Sequence, residues 1–134
     1  MAERRLRILF AKAGPDTHVR GITILLPRLR DAGFEVIYTG LYQTPESIVA
    51  AAIQEDVDFI FLSSHLSGHI ALSEQIMRLL KRNQADGIDL VVGGLVPKRD
   101  FPRLKEIGVK KAFMPMALPN AIIDWVKSEA AART

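Results

Sequence analysis

The strongest constraint on the fold is a strict alternation along the chain. Short apolar, β-branched runs at residues 6–11, 35–38, 59–62, 90–92 and 111–113 take turns with longer amphipathic stretches. The latter fall at residues 22–32, 45–55, 67–82, 101–107 and 119–132. Such alternation predicts a parallel sheet covered by helices on both faces. Right-handed crossovers then leave few topologies, and for five strands the common one is the flavodoxin-like (Rossmann-like) order 2-1-3-4-5. With 134 residues and no repeat, linker or low-complexity stretch, the expectation is one domain spanning residues 1–134.

Local punctuation agrees with these bounds. Gly33 and Gly108 follow the first and fourth helical patterns as left-handed-capable ends. Thr44-Pro45-Glu46 reads as an N-cap with proline at the first helical position. In the second helix Ile48, Ala51, Ala52 and Glu55 share a face, which predicts a small apolar surface lying close on the sheet. Pro27 conflicts, since proline inside a helix costs about 3 kcal/mol. Either that helix starts late or it kinks, which leaves residues 16–26 less rigid than the other loops.

Composition narrows the class. A content of 49% hydrophobic and 25% charged residues belongs to a globular protein. No apolar run reaches the ~18 residues of a membrane span, and Met1-Ala2-Glu3-Arg4-Arg5 leads into the first strand without an apolar signal core. A cytoplasmic protein without membrane contact is therefore expected. The absence of cysteine excludes disulfides and thiolate metal sites. The net charge of +3 is mild and its basic residues are scattered, so nucleic-acid binding has no support.

The residues suited to chemistry gather on the turns that follow the strands, where α/β sheets keep their ligands. The first turn holds Gly14-Pro15-Asp16-Thr17-His18-Val19-Arg20-Gly21. Alone, His18 reads as a surface-loop histidine. Asp16 two residues earlier changes that reading, because a metal-ligating imidazole commonly donates its second N–H to a carboxylate. One histidine and one carboxylate do not complete a protein-only metal site. A metal on His18 should then bring its remaining ligands with it, as a macrocycle does. The third strand runs into Ser63-Ser64-His65-Leu66-Ser67-Gly68-His69 and the fourth into Gly93-Gly94-Leu95. These small-residue turns would leave a slot beside the first turn. The hydroxyls of Ser63, Ser64 and Ser67 either face a ligand or cap the third helix.

Together these turns resemble a known family. Asp16-Thr17-His18-Val19-Arg20-Gly21 matches D-x-H-x-x-G, the signature of cobalamin-binding domains that take the cofactor with its lower base displaced. The family continues with S-x-L and G-G. Here 41 residues separate Gly21 from Ser63 and 27 separate His65 from Gly93, as in the family. The chain is most similar to the cobalamin domain of methylmalonyl-CoA mutase and to the free-standing small subunits of related acyl-CoA mutases, including 2-hydroxyisobutyryl-CoA mutase.

The resemblance implies that His18 is the lower axial ligand of cobalt and Asp16 its hydrogen-bonding partner. Thr17, Val19, Arg20 and Gly21 would complete the loop under the corrin ring. Ser63, His65, Leu66, Gly93, Gly94 and Met114 would line the slot for the nucleotide tail. It further implies adenosylcobalamin as cofactor, radical rearrangement of an acyl-CoA as the reaction, and a hetero-oligomer with a large subunit. A (β/α)8 barrel takes about 250 residues, so the acyl-CoA-binding barrel would come from a separate polypeptide. The alternative is a cobalamin carrier, chaperone or sensor without activity of its own.

Two positions depart from the family's pattern. His65 replaces the leucine of S-x-L, with two roles open to it, a hydrogen bond to the tail or a ring directed to solvent. Met114-Pro115-Met116 follows the fifth strand where the family often has Gly-Pro-Gly, which implies a narrower or reshaped tail pocket. Two other users of this fold are disfavoured. A receiver domain needs an aspartate where Ser63 stands, and a flavodoxin needs a Ser/Thr-rich phosphate loop unlike Gly14-Pro15-Asp16-Thr17.

Overall fold

The computed structural model describes residues 5–16, 18, 20–66, 68–115 and 117–133. Its five strands are β1 (Arg7–Ala11), β2 (Glu35–Tyr38), β3 (Phe59–Ser64), β4 (Asp89–Gly94) and β5 (Lys111–Ala112). They alternate with α1 (Arg20–Asp31), α2 (Pro45–Gln54), α3 (His69–Arg82), α4 (Phe101–Ile107) and α5 (Pro119–Ala132). A short 3-10 turn, Lys98–Asp100, precedes α4. The strands form one parallel sheet in the expected order β2-β1-β3-β4-β5.

Alternate strand residues feed two cores, as a sheet covered on both faces requires. Leu9, Ile60, Leu90 and Val92 pack with Ile48 of α2, Ile76 of α3 and Leu104 of α4. Ile8, Phe10, Phe61 and Val91 pack on the other face with Leu25 and Leu29 of α1 and Val126 of α5. The α2 face is broader than expected, because Val49 is buried beside Ile48 and Ala52. Glu55 does not belong to that face: it leaves the helix end to pair with Arg7. Arg7 also pairs with Glu35, and its backbone N–H donates to Asp58. These contacts bind β1, β2 and β3 together at the edge of the sheet away from the site.

Several element ends follow the expected chemistry. Thr44 caps α2 reciprocally with Ser47, with Pro45 in the first turn. Gly108 ends α4 in a left-handed conformation, φ +112°. Helix α1 does not start late. It begins at Arg20 and runs to Asp31 with Pro27 inside it.

The main difference lies at the ends of β3 and β4. Read from side chains, these strands stop where the β-branched run stops. The backbone keeps pairing, Ser63 with Gly93 and Ser64 with Gly94, so these four residues belong to the sheet rather than to turns. Parallel pairing depends on main-chain groups, which serine and glycine supply as well as valine does.

Candidate cobalamin site

Strand β1 delivers the chain to the carboxyl edge of the sheet, where Lys12 and Asp16 turn inward. Both are buried, Lys12 completely and Asp16 to 5% exposure. The Asp16 carboxylate gathers four donors. Oδ1 accepts from the His18 backbone N–H at 3.1 Å, from His18 Nδ1 at 2.9 Å and from Lys12 Nζ at 3.0 Å. Oδ2 accepts from the His65 backbone N–H at 2.7 Å. Burial works to raise the Asp16 pKa, but the His65 N–H, the two His18 donors and the Lys12 ammonium outweigh it. The carboxyl is held well below the usual carboxylate range, so it is ionised.

This arrangement fixes the chemistry of His18. An ionised carboxylate only accepts, so Nδ1 carries the proton that joins them. The neutral imidazole then keeps its lone pair on Nε2, the nitrogen a metal takes. The His18 side chain is 57% exposed while its partner Asp16 is buried, so the ring is anchored at one edge and open at the other. Among the described residues no group of three or more His, Asp or Glu side chains could hold a metal ion.

Lys12 was not legible as a site residue. Its ammonium lies 3.0 Å from the Ser63 carbonyl and from Asp16, and 3.2 Å from His65 Nδ1. Burial holds its pKa below the ordinary lysine value, and the hydrogen bond and charge of Asp16 offset this only in part. The one available signal was the spacing Lys12-x-x-x-Asp16 directly after an apolar strand, and nothing in it says that the lysine is buried. His65 lines the cavity described below and makes a contact that neither expected role includes. It stacks on His18, with ring centroids 5.1 Å apart and planes at 18°. Burial and the Lys12 charge both lower its pKa, while Asp16 opposes them.

Beside this cluster a cavity of about 530 Å³ opens between α1 and α5. Phe10, Phe61 and Val91 form its floor, with Leu25 of α1 and Ile122 of α5 as walls. Arg20, Ser63 and His65 bring polar groups to an otherwise apolar lining. Gly21 and Gly93 also line it. A Cβ on Gly21 would meet no atom within 4 Å, and one on Gly93 would make ordinary contact with Phe113. No protein neighbour forces glycine at either place, as fits space kept for a ligand. Gly94 is different. Its φ is +110°, and a Cβ there would lie 2.3 Å from the Ser64 carbonyl oxygen, so this glycine lets β3 and β4 close together.

The other expected residues divide. Met114 lines the cavity and is 52% exposed. Leu66 is exposed and is not part of the lining; its carbonyl accepts from the Ser64 hydroxyl. Helix α3 is not capped by Ser63 or Ser64, since its N-cap is Gly68 without a side-chain bond. Thr17, Val19, Ser67 and Met116 lie outside the described residues.

The donor set and the cavity fit a cobalt corrinoid. One imidazole nitrogen is presented on an acidic anchor, and an apolar slot beside it suits a flat heterocyclic base. The comparisons agree with this fit. The model of the B12 binding domain matches residues 6–114, so the chain belongs to the B12-binding domain family, whose cofactor is cobalamin. Within it the chain groups with the small subunits of acyl-CoA mutases. It is 38% identical over 133 residues to the 2-hydroxyisobutanoyl-CoA mutase small subunit of Aquincola tertiaricarbonis, covering 99% of this chain and 98% of that one. It is 40% identical over 123 residues to the pivalyl-CoA mutase small subunit of Xanthobacter autotrophicus, covering 92% and 82%. A methylmalonyl-CoA mutase large subunit from Streptomyces virginiae is 38% identical over 129 residues, but this chain spans only 18% of its length. A cobalamin-binding protein from Desulfitobacterium hafniense shares the fold, with a TM-score of 0.78 at 18% identity over 92% of this chain and 58% of that one. No helix among the described residues is long and apolar enough to cross a membrane.

Proposed function

We propose that residues 1–134 act as one cobalamin-binding domain, the small subunit of an adenosylcobalamin-dependent acyl-CoA mutase. A separate large subunit, built on a (β/α)8 barrel, binds the acyl-CoA and completes the enzyme. The observation that carries this reading is the Asp16–His18 pair, 2.9 Å apart, beside an apolar cavity at the carboxyl edge of the sheet. Near-full-length identity to two acyl-CoA mutase small subunits supports it.

In this reading His18 Nε2 would hold the cobalt, and Asp16 holds the tautomer that leaves that nitrogen free to ligate. Lys12, buried beneath, keeps Asp16 ionised and in place. The cavity between α1 and α5 takes the displaced nucleotide tail, with Ser63, Gly93, Gly94 and Met114 along it and Arg20 and Gly21 at its α1 side. Adenosylcobalamin, when bound, would supply the radical chemistry. This chain's residues orient the cofactor and tune its lower face.

The test is reconstitution. The purified chain, adenosylcobalamin and a candidate large subunit are mixed with branched and linear acyl-CoA thioesters, and isomer formation is followed by chromatography. The expected result is turnover only when all components are present. A chain that binds cobalamin yet activates no mutase large subunit would instead be a carrier or sensor.

A further inference from the structure

Resting on the reading of His18 as cobalt ligand, we propose that His65 is a positioning residue for His18. Its imidazole forms a flat face against which the axial ring is set before cofactor binds. Asp16 fixes only one edge of the His18 ring, through Nδ1. A ring held at one edge can still tilt about that hydrogen bond, and tilt redirects Nε2. His65 closes this freedom from the side, stacked at 5.1 Å with its plane within 18° of parallel.

The stacking ring is itself held. Its backbone N–H donates to Asp16 Oδ2 at 2.7 Å, so the residue that anchors His18 also anchors the start of the His65 side chain. Its Nδ1 lies 3.2 Å from Lys12 Nζ. An ammonium has only donors, so Nδ1 accepts and His65 carries its proton on Nε2. Across from it, a Cβ on Gly94 would come within 3.1 Å of His65 Cε1, so glycine at 94 leaves the room this ring occupies. Lys12 and Asp16 thereby orient both imidazoles. A leucine at position 65 offers neither a flat face nor an acceptor for Lys12.

His65 also lines the tail cavity, and the experiment separates the two roles. Wild type and His65→Leu are titrated with cobalamin and with cobinamide, which lacks the nucleotide tail, in His18 and His18→Ala backgrounds. The cobalt(II) forms are examined by electron paramagnetic resonance for splitting from the axial nitrogen. Positioning of His18 predicts that His65→Leu weakens both corrinoids by the same factor, about tenfold. It also predicts a heterogeneous axial-nitrogen splitting, and no effect of the substitution once His18 is alanine. His65→Phe, which keeps a flat ring, restores binding of both. Should the leucine variant not fold, His65→Ala takes its place in each titration. A loss confined to cobalamin, or unchanged binding and splitting, overturns the proposal. If the wild type binds neither corrinoid, the underlying assignment of His18 fails instead.

Discussion

Asp16 and His65 lie 49 residues apart, yet the backbone N–H of His65 donates to Asp16 Oδ2 at 2.7 Å. The bond ties the turn after β1 to the end of β3. It makes the carboxylate that orients His18 a shared element of two loops. Stability of the fold and geometry of the ligand are therefore linked through one buried side chain.

Lys12 is the counter-charge to that carboxylate. Removing one member of a buried pair leaves the other uncompensated, so Lys12→Met should destabilise the fold by about 3 kcal/mol. Urea unfolding measures it. The Asp16 bonds from His65 and His18 remain, so the variant should still fold. A loss below about 1 kcal/mol, the range of surface pairs, would show that Lys12 is a spectator.

The depressed Asp16 pKa has a defined sign. Between the unfolded carboxyl value of about 4 and the lower folded value, the unfolded state binds more protons. The stability that Asp16 contributes is present above pH ~4 and is lost as the pH falls below it. Urea unfolding at pH 7 and at pH 3 should give a smaller difference for Asp16→Asn than for the wild type. Equal differences would mean that acid unfolding is governed by other carboxylates.

The adjacent glycines should separate cleanly. Gly94→Ala drives a Cβ to 2.3 Å from the Ser64 carbonyl oxygen at a φ of +110°, which should cost about 3 kcal/mol. Gly93→Ala adds a Cβ 3.9 Å from Phe113, so the fold should be unaffected while cobalamin binding weakens. Thermal unfolding of the two variants checks the first contrast and corrinoid titration the second. Equal destabilisation would contradict the distinction.

These residues also show where sequence reading reaches and where it stops. The Thr44 cap and the Gly108 end were legible because local chemistry sets them, and the strand order because βα alternation with right-handed crossovers leaves few topologies. Asp16 and His18 were legible because they are two residues apart and interact directly. Lys12 was not, because its burial depends on Ser63 and His65, which are distant in sequence and adjacent only through the pairing of β1 with β3. The stacking of His65 on His18 was not legible either, because the two residues meet only through the pairing of β1 with β3. Ser63, Ser64, Gly93 and Gly94 read as turns because their side chains carry no strand signal, although their main chains pair.

The most direct test of the central claim is the absorption spectrum of adenosylcobalamin mixed with the purified chain, wild type against His18→Ala. Ligation by His18 predicts that the wild type gives a complex with the cofactor's own base displaced and histidine bound below cobalt. The alanine variant should not form it. The same spectrum from both proteins, or no complex with the wild type, would contradict the account.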